Sequence, residues 1–546
     1  MIPPDQFITM TYINILRPPD TVTAQTEAGS VALRPTGDRW AADDISVDTS
    51  LIGDRLAVDV TAGRTPLERV QLRWHSVIPA GLRFFGDAWE RGYGDLEWRG
   101  LVAERVMPWY FLAYDGKATH GYGVRVQPAA FCFWTADGAG ISLWLDVRNG
   151  GGGVELAGRT VRAAEVVTRR GQEGETPFAA ARAFCRLMCD TPRLPAQPIY
   201  GANDWYHVYG KYSHAGILAD AQLLAELAPT GENRPYMVID AGWQPQAGDL
   251  GQDAICGGPY AGANARFPDM PGLAAAIRAT GSRPGIWIRP LAAPPAAPDS
   301  MLLPIERADD RSAKRKVLDP SLSEVLAEVA GNFRTLTAWG YDLIKHDWSA
   351  CDLLGRWGFK MGATLTNPGW HFANRSRTTA EIATALYRAI RAGAGDAIVI
   401  GCNAFGHLGA GCFDLQRVGD DTSGREWERT RKMGVNTLAF RGIQHDAFFA
   451  ADPDCVGDTG ALPWAFNRQF LDLVARSGTP LFISFDPGRI TGAQRTALRA
   501  ALATAAQLQP IAEPLDWLDT TCPQVWRLGD EVVRYDWYGD AGVKPG

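Results

Sequence analysis

The chain has 546 residues, of which 46% are hydrophobic and 21% are charged, and it carries a formal net charge of −7. At about 150 residues per domain this length predicts a globular protein of about two to four domains, and the mild acidity without a basic block excludes nucleic acid and anionic membrane surfaces as expected partners. No run approaches the ~20 apolar residues of a membrane span, and the N-terminal residues resemble no signal peptide, so the sequence predicts a cytoplasmic protein.

The N-terminal region, residues 1–193, is rich in short runs in which apolar and polar residues alternate. The runs at 70–74 and 141–145 are typical, and clusters of Gly and Asp separate such runs. This pattern predicts an antiparallel β-sandwich. A helical run at 177–189 and the Pro-rich segment 191–198 follow, and we place a domain boundary there.

Residues 199–490 repeat another pattern, in which an apolar strand, a loop and an amphipathic helix follow one another. Strands are predicted at 199–202, 236–239, 285–288, 343–345, 398–401, 415–418, 447–450 and 481–484. Eight such units predict a (β/α)8 TIM barrel. A doubly wound open sheet is the competing interpretation, but no Gly-x-Gly-x-x-Gly follows the first strand.

The C-terminal region, residues 491–546, begins with a predicted helix at 492–507. Two short β-like runs follow it, at 525–528 and 532–535. The region is shorter than a complete sandwich, and we predict a small C-terminal β-region.

Polar residues follow several predicted barrel strands, at the ends where barrel enzymes build their sites. The fourth strand runs directly into Lys345 and Asp347, and Asp420 and Asp421 follow the sixth. An unpaired carboxylate at the mouth of a buried strand is costly, so Asp347 is expected either to take part in chemistry or to form a salt bridge with Lys345.

Two carboxylates facing each other across a barrel mouth are the minimum apparatus for glycoside hydrolysis. Asp347 and one of the pair Asp420 and Asp421 fit that requirement. Adjacent aspartates repel, so one of the pair is predicted to have the raised pKa that an acid catalyst needs. The alternative is that the pair caps the predicted helix through Trp427.

Metal and cofactor motifs are absent from the sequence. The eight histidines include no His-x-x-x-His pair, the nine cysteines form no Cys-x-x-Cys motif, and no Gly-Lys-Ser phosphate loop occurs. The sequence therefore predicts neither a metal nor a cofactor, and the cysteines are interpreted mostly as buried apolar residues.

At these motifs the chain resembles the α-galactosidase-like glycoside hydrolases of family 36, which are related to families 27 and 31. Residues 345–347 are similar to the family's Lys-x-Asp, whose Asp is the nucleophile. Residues 419–422 are similar to its acid/base segment, which favours Asp420. The spacing from Arg417 instead resembles the Arg-x-x-x-Asp of family 27 and favours Asp421.

Two segments depart from the family pattern. The family's Asp-Asp-Gly-Trp becomes Asp240-Ala241-Gly242-Trp243, and its Trp-Phe-Glu-Pro becomes residues 287–290 with Arg289 in place of the acid. Losing an acid that holds a sugar hydroxyl changes which sugar is accepted. Arg289 is expected to favour an anionic sugar or to form a salt bridge with Asp240 or Asp347.

The resemblance implies a divergent retaining α-glycosidase that acts on an oligosaccharide or glycoside through a glycosyl-aspartate intermediate. Asp347 would be the nucleophile and Asp420 the acid/base. The implied substrate-binding residues are Asp240, Lys345, Trp205, Trp243, Arg289, Cys402, Arg417 and Asp421. The alternatives are a transglycosylase that uses the same residues and a non-catalytic carbohydrate-binding protein on a degenerate scaffold. A homo-oligomer is compatible with the sequence.

Overall fold

The computed structural model describes residues 12–245, 260–309 and 316–539. Within these ranges eight cysteines are free and buried, as predicted for most of them. Cys256 lies outside the described residues. No helix in the described ranges is long and apolar enough to cross a bilayer.

The N-terminal region forms one sheet of thirteen strands, all paired antiparallel, in the order β7-β9-β10-β13-β5-β4-β3-β2-β1-β6-β12-β11-β8. Its long strands alternate buried and exposed side chains because one face covers the core, as in Thr21–Thr26. The predicted sandwich is confirmed. The strands are β1 Thr21–Thr26, β2 Gly29–Thr36, β3 Arg39–Ala42, β4 Ile45–Ile52, β5 Arg55–Ala62, β6 Leu67–His75, β7 Arg83–Gly86, β8 Met107–Pro108, β9 Tyr110–Tyr114, β10 Thr119–Val124, β11 Phe131–Asp137, β12 Gly140–Asp146 and β13 Thr160–Arg169.

The central region forms a parallel sheet in the order β20-β19-β18-β17-β16-β15-β14-β22-β21. The two outermost segments, β20 and β21, are halves of one strand that is broken at residues 453–454, so the sheet closes into an eight-stranded barrel. The predicted (β/α)8 barrel is confirmed, although the predicted seventh strand began three residues early. The strands are β14 Tyr200–Asn203, β15 Tyr236–Ile239, β16 Arg283–Ile288, β17 Leu343–His346, β18 Ile398–Gly401, β19 Leu415–Arg417, β20 Ala450–Asp452, β21 Cys455–Asp458 and β22 Leu481–Phe485.

Helices surround the barrel, and one precedes it. The helix Thr379–Ala394 starts at a capping box in which Thr378 and Glu381 bond each other's backbone N–H groups. In the segment after β19, the helix predicted at 427–432 continues into a π-helical turn, Arg431–Asn436. The α-helices are Pro177–Met188, Trp205–Val208, His214–Leu227, Met270–Ala279, Ser323–Ala338, Ser349–Leu354, Thr379–Ala394, Gly406–Gly409, Trp427–Thr430, Thr437–Arg441, Trp464–Arg476 and Gly492–Ala505.

The C-terminal region adds a small antiparallel sheet of three strands, β23 Glu513–Pro514, β24 Val525–Leu528 and β25 Glu531–Arg534. It is joined to the barrel by contacts such as the bond of 2.7 Å from Trp427 Nε1 to the Trp537 carbonyl. The predicted small β-region is confirmed, while the predicted boundaries of the three domains stay predictions.

One loop of the sandwich reaches the mouth of the barrel. Gly92 N–H donates to the Val418 carbonyl at 2.8 Å, and Asp420 N–H donates back to the Gly92 carbonyl at 2.9 Å. Arg441 holds the Glu90 carbonyl at 2.8 Å. These bonds extend the edge after β19 and fix Arg91 beside the carboxyl ends of the barrel strands.

Candidate active site

A cavity of about 520 Å³ lies at the carboxyl ends of the barrel strands. Five of the predicted site residues line it, on four different strand ends: Trp205, Asp240, Lys345, Asp347 and Asp421. Since the barrel brings these ends to one edge, residues more than 200 positions apart in the chain meet in one wall.

Asp347 directly follows β17 and is held by backbone and indole N–H groups. Its own N–H donates to the Ile288 carbonyl at 2.9 Å. Trp348 has a left-handed backbone conformation, with φ 66°, and its N–H donates to Asp347 Oδ1 at 2.8 Å. Trp287 Nε1 donates to Oδ2 at 3.3 Å. The carboxylate is thus oriented by two donors, one on β16 and one just after β17.

Lys345 does not form a salt bridge with Asp347; its Nζ lies 2.7 Å from Oδ2 of Asp240. Asn203 Nδ2 donates to the same oxygen at 2.8 Å, and the Asp240 N–H donates to Asp204 Oδ1 at 3.0 Å. Burial lowers the pKa of Lys345, but Asp240, together with Cys402 and Asp454, raises it by more and holds that pKa well above its ordinary value. The pair therefore presents an ammonium and a carboxylate to the cavity.

Asp420 and Asp421 occupy different environments. Asp420 binds Arg91 through Oδ1 at 2.7 Å and Arg429 through Oδ2 at 2.6 Å, and it does not line the cavity. Asp421 does line it, and its side chain is 42% exposed. Of the two aspartates that the sequence left open, Asp421 is the one that shares the cavity with Asp347.

The raised pKa predicted for one of the pair is not found at Asp421. Partial burial raises the pKa of this carboxyl, but Arg417 and then Arg91 lower it to about 2. The alternative role as a helix cap is wrong for both aspartates, because Glu426 occupies the cap position before Trp427.

Trp243 and Arg289 do not reach the cavity, which corrects their predicted roles in substrate binding. Trp243 is fully buried and donates from Nε1 to the Trp287 carbonyl at 2.9 Å. Arg289 is also fully buried, and it grips Asp352 with Nε at 2.9 Å and Nη2 at 2.5 Å. The predicted salt bridge of Arg289 exists with this partner and not with Asp240 or Asp347.

Arg417 and Cys402 lie behind the cavity wall and do not line it, so their predicted contact with substrate is also corrected. Arg417 Nη2 lies 2.9 Å from Asp454 Oδ2 and 3.2 Å from Asp421 Oδ1, and Nη1 lies 3.4 Å from Cys402 Sγ. Arg417 thus holds two cavity carboxylates from behind.

Several lining residues were not among the predicted site residues. Arg91 comes from the sandwich loop, and its guanidinium lies 5.4 Å from the Trp357 ring centroid. Tyr206 donates its hydroxyl to Asp454, at the break in the seventh strand. A signal existed for Asp454, because Pro453 and two aspartates interrupt an apolar run, and none tied the loop of Arg91 to the barrel.

In the described part of the chain, no three His, Cys, Asp or Glu side chains are grouped as a metal site would require. The cavity instead offers carboxylates, one ammonium, one guanidinium and four indole rings. Carboxylates and cations bind hydroxyl groups, and indole faces cover apolar C–H surfaces. This combination matches a sugar ring.

No protein-family model matches the chain. Among solved structures, an α-galactosidase from Thermus thermophilus is 19% identical, covers 94% of this chain and 99% of its own, and has a TM-score of 0.59. The chain has the fold of the family 36 α-galactosidases.

Two other α-galactosidases show the same likeness. The family 36 enzyme AgaA from Geobacillus stearothermophilus is 14% identical over 89% of this chain and 75% of its own, with a TM-score of 0.58. The enzyme from Lactobacillus brevis is 12% identical over 89% and 72%, with a TM-score of 0.60. The TM-scores and coverages establish the shared fold, and the low identities show that the chain is divergent.

Proposed function

We propose that the protein is a retaining α-glycosidase with Asp347 as nucleophile and Asp421 as acid/base. The observation that carries this proposal is that both carboxylates line one cavity, at the ends of β17 and β19. Asp421 replaces Asp420 as the proposed acid/base, because arginines occupy both Asp420 oxygens.

In the first step an Asp347 oxygen attacks the anomeric carbon and forms an ester bond. The glycosidic bond breaks, and the leaving oxygen takes a proton from Asp421. The N–H donors of Trp348 and Trp287 fix the attacking carboxylate.

In the second step Asp421 removes a proton from water, and the oxygen of that water attacks the anomeric carbon. The ester bond to Asp347 breaks, and the sugar is released with its original configuration. We expect the two carboxyl groups to be about 5–5.5 Å apart in the working geometry.

Asp421 must be protonated in the first step, although Arg417 and Arg91 keep its pKa low. A bound glycoside covers the exposed part of its side chain. The loss of water disfavours the charged form and raises the pKa. We therefore propose that Asp421 gains its proton when substrate binds.

The proposed substrate is an α-linked oligosaccharide or glycoside. Structures of the Thermus and Geobacillus enzymes contain stachyose, and one of the Geobacillus enzyme contains raffinose. Ala241 stands in the cavity wall where the family pattern has a second acid. Losing that carboxylate supports a changed sugar specificity.

The test is a panel of p-nitrophenyl α-glycosides of galactose, glucose, mannose and xylose, followed by azide rescue. Asp347→Ala should abolish turnover, and added azide should yield the β-glycosyl azide, since azide then attacks in place of the nucleophile. Asp421→Ala should yield the α-glycosyl azide, since azide then replaces water in the second step.

Asp420→Ala is the matched control and should give no azide product. Full activity of Asp347→Ala, or an α-azide from it, would refute the assigned role. A panel without any turnover would favour the non-catalytic carbohydrate-binding alternative. Sugar acceptors that outcompete water would identify a transglycosylase.

A further inference from the structure

A second groove, of about 780 Å³, adjoins the cavity and shares Arg91 with it. Its walls are the sandwich loop around residues 86–99 and the barrel segment 358–361. Trp357 lines the cavity, and Gly358 and Phe359 line the groove. The two spaces therefore share Arg91, and two consecutive residues, Trp357 and Gly358, line one space each.

The groove lies on the side of the proposed acid. Arg91 contacts Asp420 at 2.7 Å and Asp421 at 3.8 Å. In a double displacement the acid protonates the leaving oxygen, so the leaving group must lie on the acid's side of the sugar. A leaving group that extends past Asp421 and Arg91 would point toward this groove, which Arg91 also lines.

Hydrogen bonds join the two walls of the groove. Gly358 N–H donates to Glu90 Oε1 at 3.2 Å, and Trp89 Nε1 donates to the Gly362 carbonyl at 3.0 Å. Since these bonds join the two walls, a ligand need not order them. Sites for small ligands are usually formed in advance in this way.

The lining chemistry fits a neutral polyhydroxylated ligand. Three arginines and three carboxylates line the groove, so it has no net formal charge: Arg91, Arg99, Arg105, Asp87, Asp95 and Glu97. An anionic ligand would favour an excess of cations, whereas hydroxyl groups both donate to carboxylates and accept from guanidinium groups.

An exposed aromatic side chain lies at the rim of the groove. Phe359 is 58% exposed, and its ring centroid lies 5.0 Å from that of Tyr93 in an edge-to-face contact. An exposed phenyl ring is costly to leave in water and offers an apolar face for the C–H surface of a sugar. It is the only large aromatic side chain among the exposed large hydrophobic residues of the described chain.

We propose that this groove binds the leaving-group sugar, with Phe359 as its stacking surface, so that the substrate is an oligosaccharide and not a simple alkyl glycoside. The assignment rests on the proposed glycosidase function. It adds a binding site that the sandwich and the barrel build together.

The test compares two leaving groups. The probes are α-D-galactosyl fluoride with raffinose, and α-D-glucosyl fluoride with maltose. Fluoride is a single atom and does not enter the groove. Phe359→Ala should lower kcat/KM for the oligosaccharide about 5- to 10-fold, the size of one aromatic contact, and leave that for the fluoride nearly unchanged.

Phe359→Trp should restore the oligosaccharide rate, and Leu51→Ala, at a site 60% exposed on the sandwich, should change neither rate. Equal losses on both probes, no loss on the oligosaccharide, or turnover of a fluoride without either oligosaccharide would overturn the groove assignment alone. Turnover of neither fluoride and of no p-nitrophenyl glycoside in the panel by the unaltered protein would overturn the glycosidase function and this assignment with it.

Discussion

Replacing Arg91 is the sharpest test of the charge balance around Asp421. Arg91 Nη1 lies 3.8 Å from Oδ1 of Asp421. At about that distance two unit charges interact by about 1 kcal/mol in water and about 4 kcal/mol at an effective dielectric constant of about 20. The Asp421 side chain is 42% exposed, so solvent screens the pair, and we take the lower value.

Arg91→Met should therefore raise the pKa of Asp421 by about 0.7 pH unit. A general acid works only while protonated, so activity falls as the pH rises through its pKa. Removing the guanidinium should move this alkaline limb of the kcat profile, which reports the pKa in the substrate complex, upward by about 0.7 pH unit. The assay is hydrolysis of an aryl α-glycoside across the acidic and neutral range.

The variant does not leave Asp420 without a cation, because Arg429 remains 2.6 Å from its other oxygen. Arg283→Met is the matched control, since Arg283 begins β16 at the opposite end of the barrel and its side chain is 47% exposed. An alkaline limb that stays in place or moves down in Arg91→Met would refute the assignment of Asp421.

A buried ion pair, a cavity cation and a buried histidine give three more predictions. Arg289→Met removes the bidentate partner of the buried Asp352 and leaves the Arg307 guanidinium nearby. It should cost about 3–5 kcal/mol of unfolding free energy in urea, and a loss below about 1 kcal/mol would contradict the bidentate pair. Lys345→Met should raise KM for an aryl α-glycoside about tenfold, because Asp240 loses the cation that fixes its position. Unchanged kinetics would refute a role of Lys345 in substrate binding. Burial lowers the pKa of His346 to about 3, against about 6.5 in the unfolded chain. The unfolded chain therefore binds one more proton between those values, and stability should fall as the pH drops from about 6.5 to about 3. His346→Gln should flatten this dependence, and an unchanged slope would contradict the cause.

The barrel could be predicted from the sequence because each of its strands is locally distinct. Tyr236–Ile239 and Ile398–Gly401 are short apolar runs between turn residues, and both were predicted at their observed bounds. Strands buried on both faces give such continuous runs. The seventh strand was misplaced because its two halves, Ala450–Asp452 and Cys455–Asp458, are separated by a polar break at the cavity.

The roles of Arg289 and Arg91 depend on tertiary contacts that the sequence does not reveal. Arg289 follows a barrel strand directly, as a substrate-binding residue would, yet Asp352 on the following helix captures it. Arg91 lies in the sandwich, far upstream of the first barrel strand at Tyr200–Asn203. No spacing rule along the chain connects Arg91 to Asp421, because only the packing of the sandwich loop against the barrel mouth brings the two side chains together.

The hydrogen bonds around the two cavity carboxylates support the direction of attack independently of their charges. Asp347 accepts from Trp348 N–H and Trp287 Nε1, and such donors stabilise a carboxylate that is released when an ester bond breaks. Asp421 is held from behind by Arg417 and keeps a partly exposed edge in the cavity. A leaving oxygen and an incoming water both need that access. The carboxylate fixed by N–H donors is therefore suited to bond the sugar, and the partly exposed carboxylate held by guanidinium groups is suited to exchange protons.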